Sequence, residues 1–131
     1  MPVSVQTAIH DDRVDLSRAF NEKTLVQIPL TGGNVLVQAK VNLYNSGATP
    51  AAATAWLLQT DPNNPGDAIM LDQAGPPGGY FEIAGQANTV IYLVGWITNA
   101  PPGNIVSLRC GVVSGFCDHA RMTVMHVDNL T

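Results

Sequence analysis

Residues 88–98 have the sequence NTVIYLVGWIT and contain more apolar side-chain surface than any other stretch of the chain. Side chains on a β-strand alternate between its two faces, so a half-buried strand normally shows one apolar row and one polar row. Here both rows are apolar: one holds Val90, Tyr92, Val94 and Trp96, and the other holds Ile91, Leu93 and Ile97 around Gly95. The β-branched and aromatic content favours a strand, and the run is too short to span a membrane. We expect this strand at the centre of the fold.

A strand that is apolar on both faces also needs cover on both faces. One row packs into the core, and in an all-β protein the other is covered by a second layer or a neighbouring subunit. His126 continues the inward row of Met122 and Val124, which predicts a hydrogen-bonded interior or interface histidine. The sequence therefore predicts an oligomer interface formed by Tyr92, Leu93, Val94, Trp96 and His126.

Length and composition define the broad class of protein. The 131 residues suit one domain, 1–131, with a core that needs no metal or disulfide. Charged residues make up 12%, about half the usual share, which implies a neutral surface or one covered by other chains. A net charge of -4 without a Lys/Arg cluster argues against nucleic acid or a membrane as partner.

The N-terminus has no basic start or apolar segment typical of a signal peptide, so we expect a cytoplasmic or virion-surface location.

The rest of the chain, which contains eleven of the twelve Gly residues and all nine Pro residues, is predicted to form short strands separated by turns. Three alternating apolar rows are the clearest: 35–43, 106–112 and 120–124. Residues 61–67 are expected to form a surface loop and 113–116 a turn. We predict strands at about 3–9, 25–30, 34–44, 51–59, 68–72, 80–84, 88–98, 105–112 and 120–130. Some nine antiparallel strands without a significant helix predict an all-β jelly-roll sandwich.

The segment from His10 to Lys23 differs in character, because it holds seven of the chain's sixteen charged residues. One interpretation is a solvated loop or helical turn between strands, with Asp11 or Asp12 as its N-cap. The other is an arm that binds a neighbouring subunit or another partner. Its binding residues would be Asp11, Asp12, Asp15 and Arg18.

Two cysteines, Cys110 and Cys117, flank the predicted turn near Ser114. If the flanking strands pair, the cysteines lie opposite each other and could form a local disulfide. Two buried free thiols are the alternative. A Cys-x6-Cys spacing alone does not make a zinc site, which needs four ligands.

Other residues of metal-binding type do not form a convincing set. Cys117 and His119 share a strand face, whereas Asp118 and His126 fall on the other. The segment that starts at Asp61 superficially resembles a calcium loop, but Pro65 stands where a ligand is required and no Glu closes it. We therefore predict an Asx turn there, and no metal or cofactor.

Catalytic motifs are also missing: the sequence has no G-x-S-x-G, H-E-x-x-H or P-loop, and only two Glu residues. We expect no enzymatic activity. Tyr44, Tyr80 and Trp96 could stack on a sugar if they are exposed, although packing is the usual role of such aromatics.

Three stretches resemble the small bacterial and phage jelly rolls related to the tumour necrosis factor and C1q globular heads. They are GGNVLVQAKVNLYNSG (32–47), NIVSLRCG (104–111) and ARMTVMHVDNLT (120–131). The resemblance implies a homotrimer around an apolar three-fold axis that works as a binding or structural module without a cofactor. Some relatives bind sugars at clefts between subunits. The family often has a Cys in the middle strand where this chain has Ala55-Trp56-Leu57, so the resemblance gives no disulfide partner.

Two functional hypotheses follow. The first is a non-enzymatic structural or interaction module, a homotrimer such as a virion decoration or head-surface protein, bound to a capsid or other protein scaffold. The alternative is a carbohydrate-binding, lectin-like trimer of the same architecture, whose partners are glycans.

Overall fold

A computed structural model of the chain describes residues 4–16, 23–76 and 80–127. Ten strands form there: β1 (Ser4–His10), β2 (Val14–Asp15), β3 (Lys23–Pro29), β4 (Gly33–Asn45), β5 (Ala51–Asp61), β6 (Asn64–Gln73), β7 (Phe81–Ile83), β8 (Asn88–Ala100), β9 (Ile105–Val112) and β10 (Gly115–Val127). In these ranges there is no helix of the length and apolarity that crossing a bilayer requires.

The strands form two five-stranded sheets with antiparallel pairing throughout. Sheet A has the order β1-β10-β4-β8, and β2 adds to β10. Sheet B has the order β3-β9-β5-β6, and β7 adds to β5. The two sheets enclose a single apolar core. The predicted all-β jelly-roll sandwich is confirmed, with the two-residue β2 as the additional strand.

The core contains the three apolar rows that alternation identified. Val35, Val37, Val41 and Leu43 of β4 are completely buried, as are Val106, Leu108, Cys110 and Val112 of β9. Met122 and Val124 of β10 complete the set from sheet A. Because such interiors are close-packed, truncating one of the larger side chains to Ala would cost about 2–5 kcal/mol.

The prediction that residues 88–98 form the centre of the fold was wrong. Among the strands of the described residues, β8 pairs with β4 alone and lies at the edge of sheet A. One of its rows does face the core, since Leu93 and Ile97 are buried. The other row is exposed, because no second layer of the described chain covers that face.

The end of the chain is also arranged differently from the expectation. β9 belongs to sheet B and β10 to sheet A, so the residues between them carry the chain across the sandwich and do not close a hairpin. β10 already begins at Gly115, within the turn that was predicted at 113–116. The alternative of a disulfide between Cys110 and Cys117 required their two strands to pair, and they do not pair.

The predicted surface loop at 61–67 is much shorter than expected. β5 continues to Asp61 and β6 starts at Asn64, which leaves a two-residue turn. The Asp61 carboxylate accepts a hydrogen bond of 2.9 Å from the Asn63 backbone N–H. This is the Asx turn predicted in place of a calcium loop, and Pro65 is tolerated because β6 is an edge strand.

A buried asparagine ties three connections together at one end of the sandwich. The Asn45 side-chain amide is fully buried and donates to the backbone carbonyls of Thr49 and Ile83, at 2.8 and 3.0 Å. Its carbonyl oxygen accepts from the Gly47 N–H at 2.9 Å and the Ser114 hydroxyl at 2.8 Å. The segments that follow β4, β7 and β9 are thus held by one side chain.

Candidate functional site on the outer face of sheet A

The outer face of sheet A presents an apolar row that crosses all four of its main strands. Strand register places Val5 beside Met125, Met125 beside Leu36, and Leu36 beside Trp96. Val5 is 55% exposed and Trp96 49%, while the two residues between them are half-buried. We call Val5, Met125, Leu36 and Trp96 the apolar row. It is a continuous apolar band on the solvent side of the sheet.

A cationic row lies four residues further along the strands, at about 13 Å from the apolar row. Register places Ile9 beside Arg121, Arg121 beside Lys40, and Lys40 beside Tyr92. The Arg121 Nη2 is 3.3 Å from the Asp11 Oδ1, and both side chains are about half exposed. The Lys40 Nζ lies 5.6 Å from the centre of the Tyr92 ring. We call Arg121, Lys40 and Tyr92 the cationic row.

A shallow cavity of about 290 Å³ opens beside the cationic row. Its polar lining comes from Lys40, Arg121, Gln38 and Thr123, and its aromatic wall is Tyr92. Tyr92 is 68% exposed, the highest value among the large apolar side chains of the described chain. The cavity therefore combines two cations, an amide, a hydroxyl and an accessible ring.

Beyond the cationic row, β10 is interrupted by a bulge between Asp118 and Arg121, where His119 has a φ of 51°. The Asp118 carboxylate accepts from the Asn42 amide at 2.9 Å and lies 3.0 Å from the His119 Nδ1. Partial burial acts to raise the pKa of Asp118, but the hydrogen bonds from His119 and Asn42 and the charges of His119 and Arg13 outweigh it. The pKa of this carboxyl is therefore held below its ordinary value.

The predicted interface residues are divided between two environments. Tyr92, Val94 and Trp96 lie on the outer face and are each about half exposed or more. Leu93 is only 3% exposed and belongs to the protomer's own core, so its assignment to an interface is corrected. Strand alternation separates it from its neighbours, since adjacent side chains point to opposite faces.

His126 lies on the core side of β10, as the continuation of the row of Met122 and Val124 indicates. It is 9% exposed, and its Nδ1 lies 3.3 Å from the Gly32 carbonyl oxygen. Its Nε2 is buried and has no hydrogen-bond partner among the described residues. His126 is thus an interior histidine at the end of the sandwich and not a part of the outer face.

Cys110 and Cys117 are free thiols buried in the core, one on each sheet. Burial, and to a smaller extent the proximity of Cys117, raises the pKa of Cys110 well above its ordinary value. Burial first and the negative charge of Asp118 second raise the pKa of Cys117 to about 12. Of the two alternatives drawn from the sequence, the structure shows the free thiols.

The charged segment from His10 to Lys23 is described only in part. Residues 14–15 form β2 on β10, Leu16 is buried, and Asp11 contacts Arg121. The Lys23 ammonium donates to the Asp15 carbonyl oxygen at 3.0 Å. Asp12 is exposed. Arg18 lies outside the described residues. The first part of the segment, residues 11–16, therefore lies beside β10 and pairs with it through β2.

The other candidate residues lie apart. Tyr44 packs on Phe116 with ring centroids 4.8 Å apart, and the Arg13 guanidinium lies 3.7 Å from the centre of the Phe116 ring. Tyr80 is exposed, on the connection before β7. Within the residues described, no group of three or more His, Cys, Asp or Glu side chains is arranged to hold a metal ion.

Comparison with known proteins finds similar structures but no similar sequence family. No protein-family model and no curated protein matches its sequence. Among solved structures, Eiger TNF from S. frugiperda matches with a TM-score of 0.61 and 9% identity, over 100% of this chain and 96% of that one. The infectious bursal disease virus VP2 subviral particle matches with a TM-score of 0.64 and 12% identity, over 96% of this chain and 33% of the VP2 chain. The Gx strain structure of the same virus also has a TM-score of 0.64, at 8% identity, over 96% of this chain and 33% of that chain.

These similarities define a class of fold. The chain is a small jelly roll similar to tumour necrosis factor, as its sequence resemblance implied, and it spans about a third of the length of the viral proteins that it matches. At this level of identity the comparisons establish the fold alone.

The cationic row was not anticipated from the sequence. Lys40 and Arg121 are eighty-one positions apart in the chain, and only the register of β4 on β10 makes them neighbours. The sequence pattern indicated only that each residue faces solvent, because each lies between two inward apolar residues. It gave no indication that the two residues are neighbours.

Proposed function

We propose that this protein is a non-enzymatic structural module that assembles as a homotrimer through the apolar row on the outer face of sheet A. The observation that supports the proposal is the apolar row. Single exposed apolar side chains are common on soluble proteins, whereas a continuous apolar band marks an interaction surface. Its Trp96 belongs to a residue type that is enriched where interfaces derive most of their binding energy.

A cyclic trimer requires two different patches on each copy, because its contacts are heterologous. We propose that the apolar row is one patch and that exposed residues of the neighbouring edge strand β6 supply the other. Ile69 is 55% exposed and Met70 41% exposed on that strand. The low share of charged residues, 12%, fits a surface that is partly covered in the assembly.

The similarity to tumour necrosis factor-like and viral-particle jelly rolls supports an assembly role, because those proteins share the fold over nearly all of this chain. We propose that the trimer attaches to a larger protein scaffold, such as a virus particle. The exposed Asp12, in the charged segment beside β10, is available for that contact.

The test is a charge placed in the apolar row. In wild-type protein, light scattering coupled to size exclusion should show a trimer at micromolar concentration. Trp96→Asp should yield a folded monomer, because burying an unpaired carboxylate costs several kcal/mol. Val113→Asp is the matched control: Val113 is 38% exposed but lies between β9 and β10, so its variant should remain trimeric. A monomeric wild type, or a trimeric Trp96→Asp variant, would overturn the proposal.

A further inference from the structure

We propose that the cavity beside the cationic row binds an acidic sugar, with the sugar's carboxylate held between Lys40 and Arg121. The first observation is the pairing of these two residues. They are directly opposite each other on adjacent strands, an arrangement in which like charges repel and destabilise the sheet. The chain has only six Lys and Arg residues, yet two of them stand side by side. An anion between them would convert the repulsion into attraction.

The net charge of the site favours a ligand with a single negative charge. Arg121 and Lys40 contribute two positive charges, and Asp11 at 3.3 Å from Arg121 offsets one of them. The site therefore carries a net charge of about +1, which matches a carboxylate better than a doubly charged phosphate. Arg121 keeps donors for a ligand, because a guanidinium has five N–H groups and Asp11 contacts it through one nitrogen. Lys40 has no carboxylate partner in the part of the chain that the structure describes, and its Nζ lies over Tyr92.

The remaining lining fits a sugar ring. Tyr92 is 68% exposed and offers an apolar face for the C–H side of a pyranose. Gln38 and Thr123 line the same cavity and supply an amide and a hydroxyl for the sugar's hydroxyl groups. The volume of about 290 Å³ is close to the lower limit of about 300 Å³ for ligand-binding cavities, so the cavity suits a small ligand such as a single sugar residue. A uronic acid residue combines the carboxylate, the hydroxyls and the ring.

The experiment is an NMR titration of the ¹⁵N-labelled protein with methyl glucuronide and, separately, with neutral methyl glucoside. The glucuronide should shift the amide signals of residues 38–40, 92–94 and 121–123, with a dissociation constant on the order of 1 mM for a ligand of this size. The glucoside should bind at least about tenfold more weakly, because it lacks the charge-assisted hydrogen bonds. Lys40→Gln and Arg121→Gln should each weaken glucuronide binding by a similar factor.

Two control variants make the outcome decisive. Arg109→Gln removes a cation from sheet B, where the Arg109 Nε donates to the Thr24 hydroxyl, and should leave glucuronide binding unchanged. Trp96→Asp changes the assembly surface in a different row and should also bind the glucuronide normally, so failure of the trimer proposal does not affect this one. Equal binding of the two glycosides, equal weakening by Arg109→Gln and Arg121→Gln, or no binding of the glucuronide would overturn the proposal.

Discussion

The Asp72 carboxylate accepts a hydrogen bond of 2.9 Å from the backbone N–H of Val94, and this bond links the two sheets at their edges. Asp72 belongs to β6, the edge strand of sheet B, and Val94 to β8, the edge strand of sheet A. An edge strand exposes N–H groups that can pair with another chain, so a carboxylate bound to one of them protects the edge. One side of the sandwich is thus closed by a side chain where the described residues supply no further strand.

Asp72→Ala should lower the free energy of unfolding by about 1–3 kcal/mol, because it removes the acceptor of both the Val94 N–H and the Gln73 N–H, and a typical hydrogen bond contributes about 0.5–1.5 kcal/mol. It should also increase aggregation, because the Val94 N–H becomes available to another strand. Chemical denaturation and light scattering measure the two effects. Asp67→Ala is the control: the Asp67 carboxylate lies on the same strand but accepts from the Asn64 side-chain amide within β6, so it does not link the sheets and its loss should cost under about 0.5 kcal/mol. Equal effects of the two variants would show that the edge contact contributes nothing.

Asn45→Ala should be among the most destabilising changes at any polar position of the described chain. It leaves the buried carbonyl of Ile83 and the partly buried carbonyl of Thr49 without their side-chain donor, and it removes the acceptor of the Gly47 N–H. We expect a loss of about 3 kcal/mol or more, since each buried group left unsatisfied costs about 1–3 kcal/mol. Urea denaturation would measure it.

Asn42→Ala supplies the comparison for Asn45. Asn42 is on the same strand but on the outer face, where it bonds to Asp118 and Asn88. Because these groups are partly accessible to water, its loss should cost about 1 kcal/mol or less. If Asn45→Ala were no more harmful than Asn42→Ala, the buried amide would not be what holds the three connections.

The sequence predicted the rows of the core well and the position of β8 poorly, for a physical reason. In β4, β9 and β10 the inward apolar residues alternate with polar ones, so the pattern itself identifies the buried face. In β8 both rows are apolar, and the pattern cannot tell whether the second row is covered by the same chain, by a neighbour or by nothing. Only the pairing of β8 with β4 alone shows that the strand is an edge.

Gly95 also has a role that its position in the sequence did not reveal. It interrupts the inward row of β8, and the structure shows that a Cβ at this position would lie 2.8 Å from the Leu71 Cβ and 3.1 Å from the Leu57 Cδ2. The missing side chain makes room for sheet B to pack closely against β8. A Gly inside a strand indicates such an approach in general terms, but not which residues approach.

The residues of the candidate site are neighbours because of the register in which the strands of sheet A pair. This register cannot be predicted from a single sequence unless the partner of each strand is known. The apolar row joins residues from four strands, of which only Trp96 had been assigned to an interface. Val5, Leu36 and Met125 each look unremarkable in their own segment. Their alignment is a property of the sheet, and so is that of Lys40 with Arg121.

The two buried thiols predict how stability changes with pH. In the folded protein the pKa of both is raised, for Cys117 to about 12, whereas in the unfolded chain each ionises near its ordinary value of 9.0. Above pH 9 the unfolded chain therefore binds fewer protons than the folded one. Stability is fully present below pH 9 and falls as the pH rises toward 12, with a slope that approaches about 1.4 kcal/mol per pH unit for each thiol.

A variant that replaces Cys110 and Cys117 with Ala isolates this contribution, because the two proteins share every other ionisable residue. The variant should be less stable than the wild type at pH 7 by about 1–3 kcal/mol, since small core contacts are lost. Between pH 8.5 and 10.5 its stability should decline less steeply, so the difference between the two proteins should shrink or reverse. A thiol reagent should label the native wild type at pH 8 only as fast as the protein opens, because both sulfurs are buried. Parallel stability curves over this range, or rapid labelling of the native protein, would show that the thiols are not held protonated by the core.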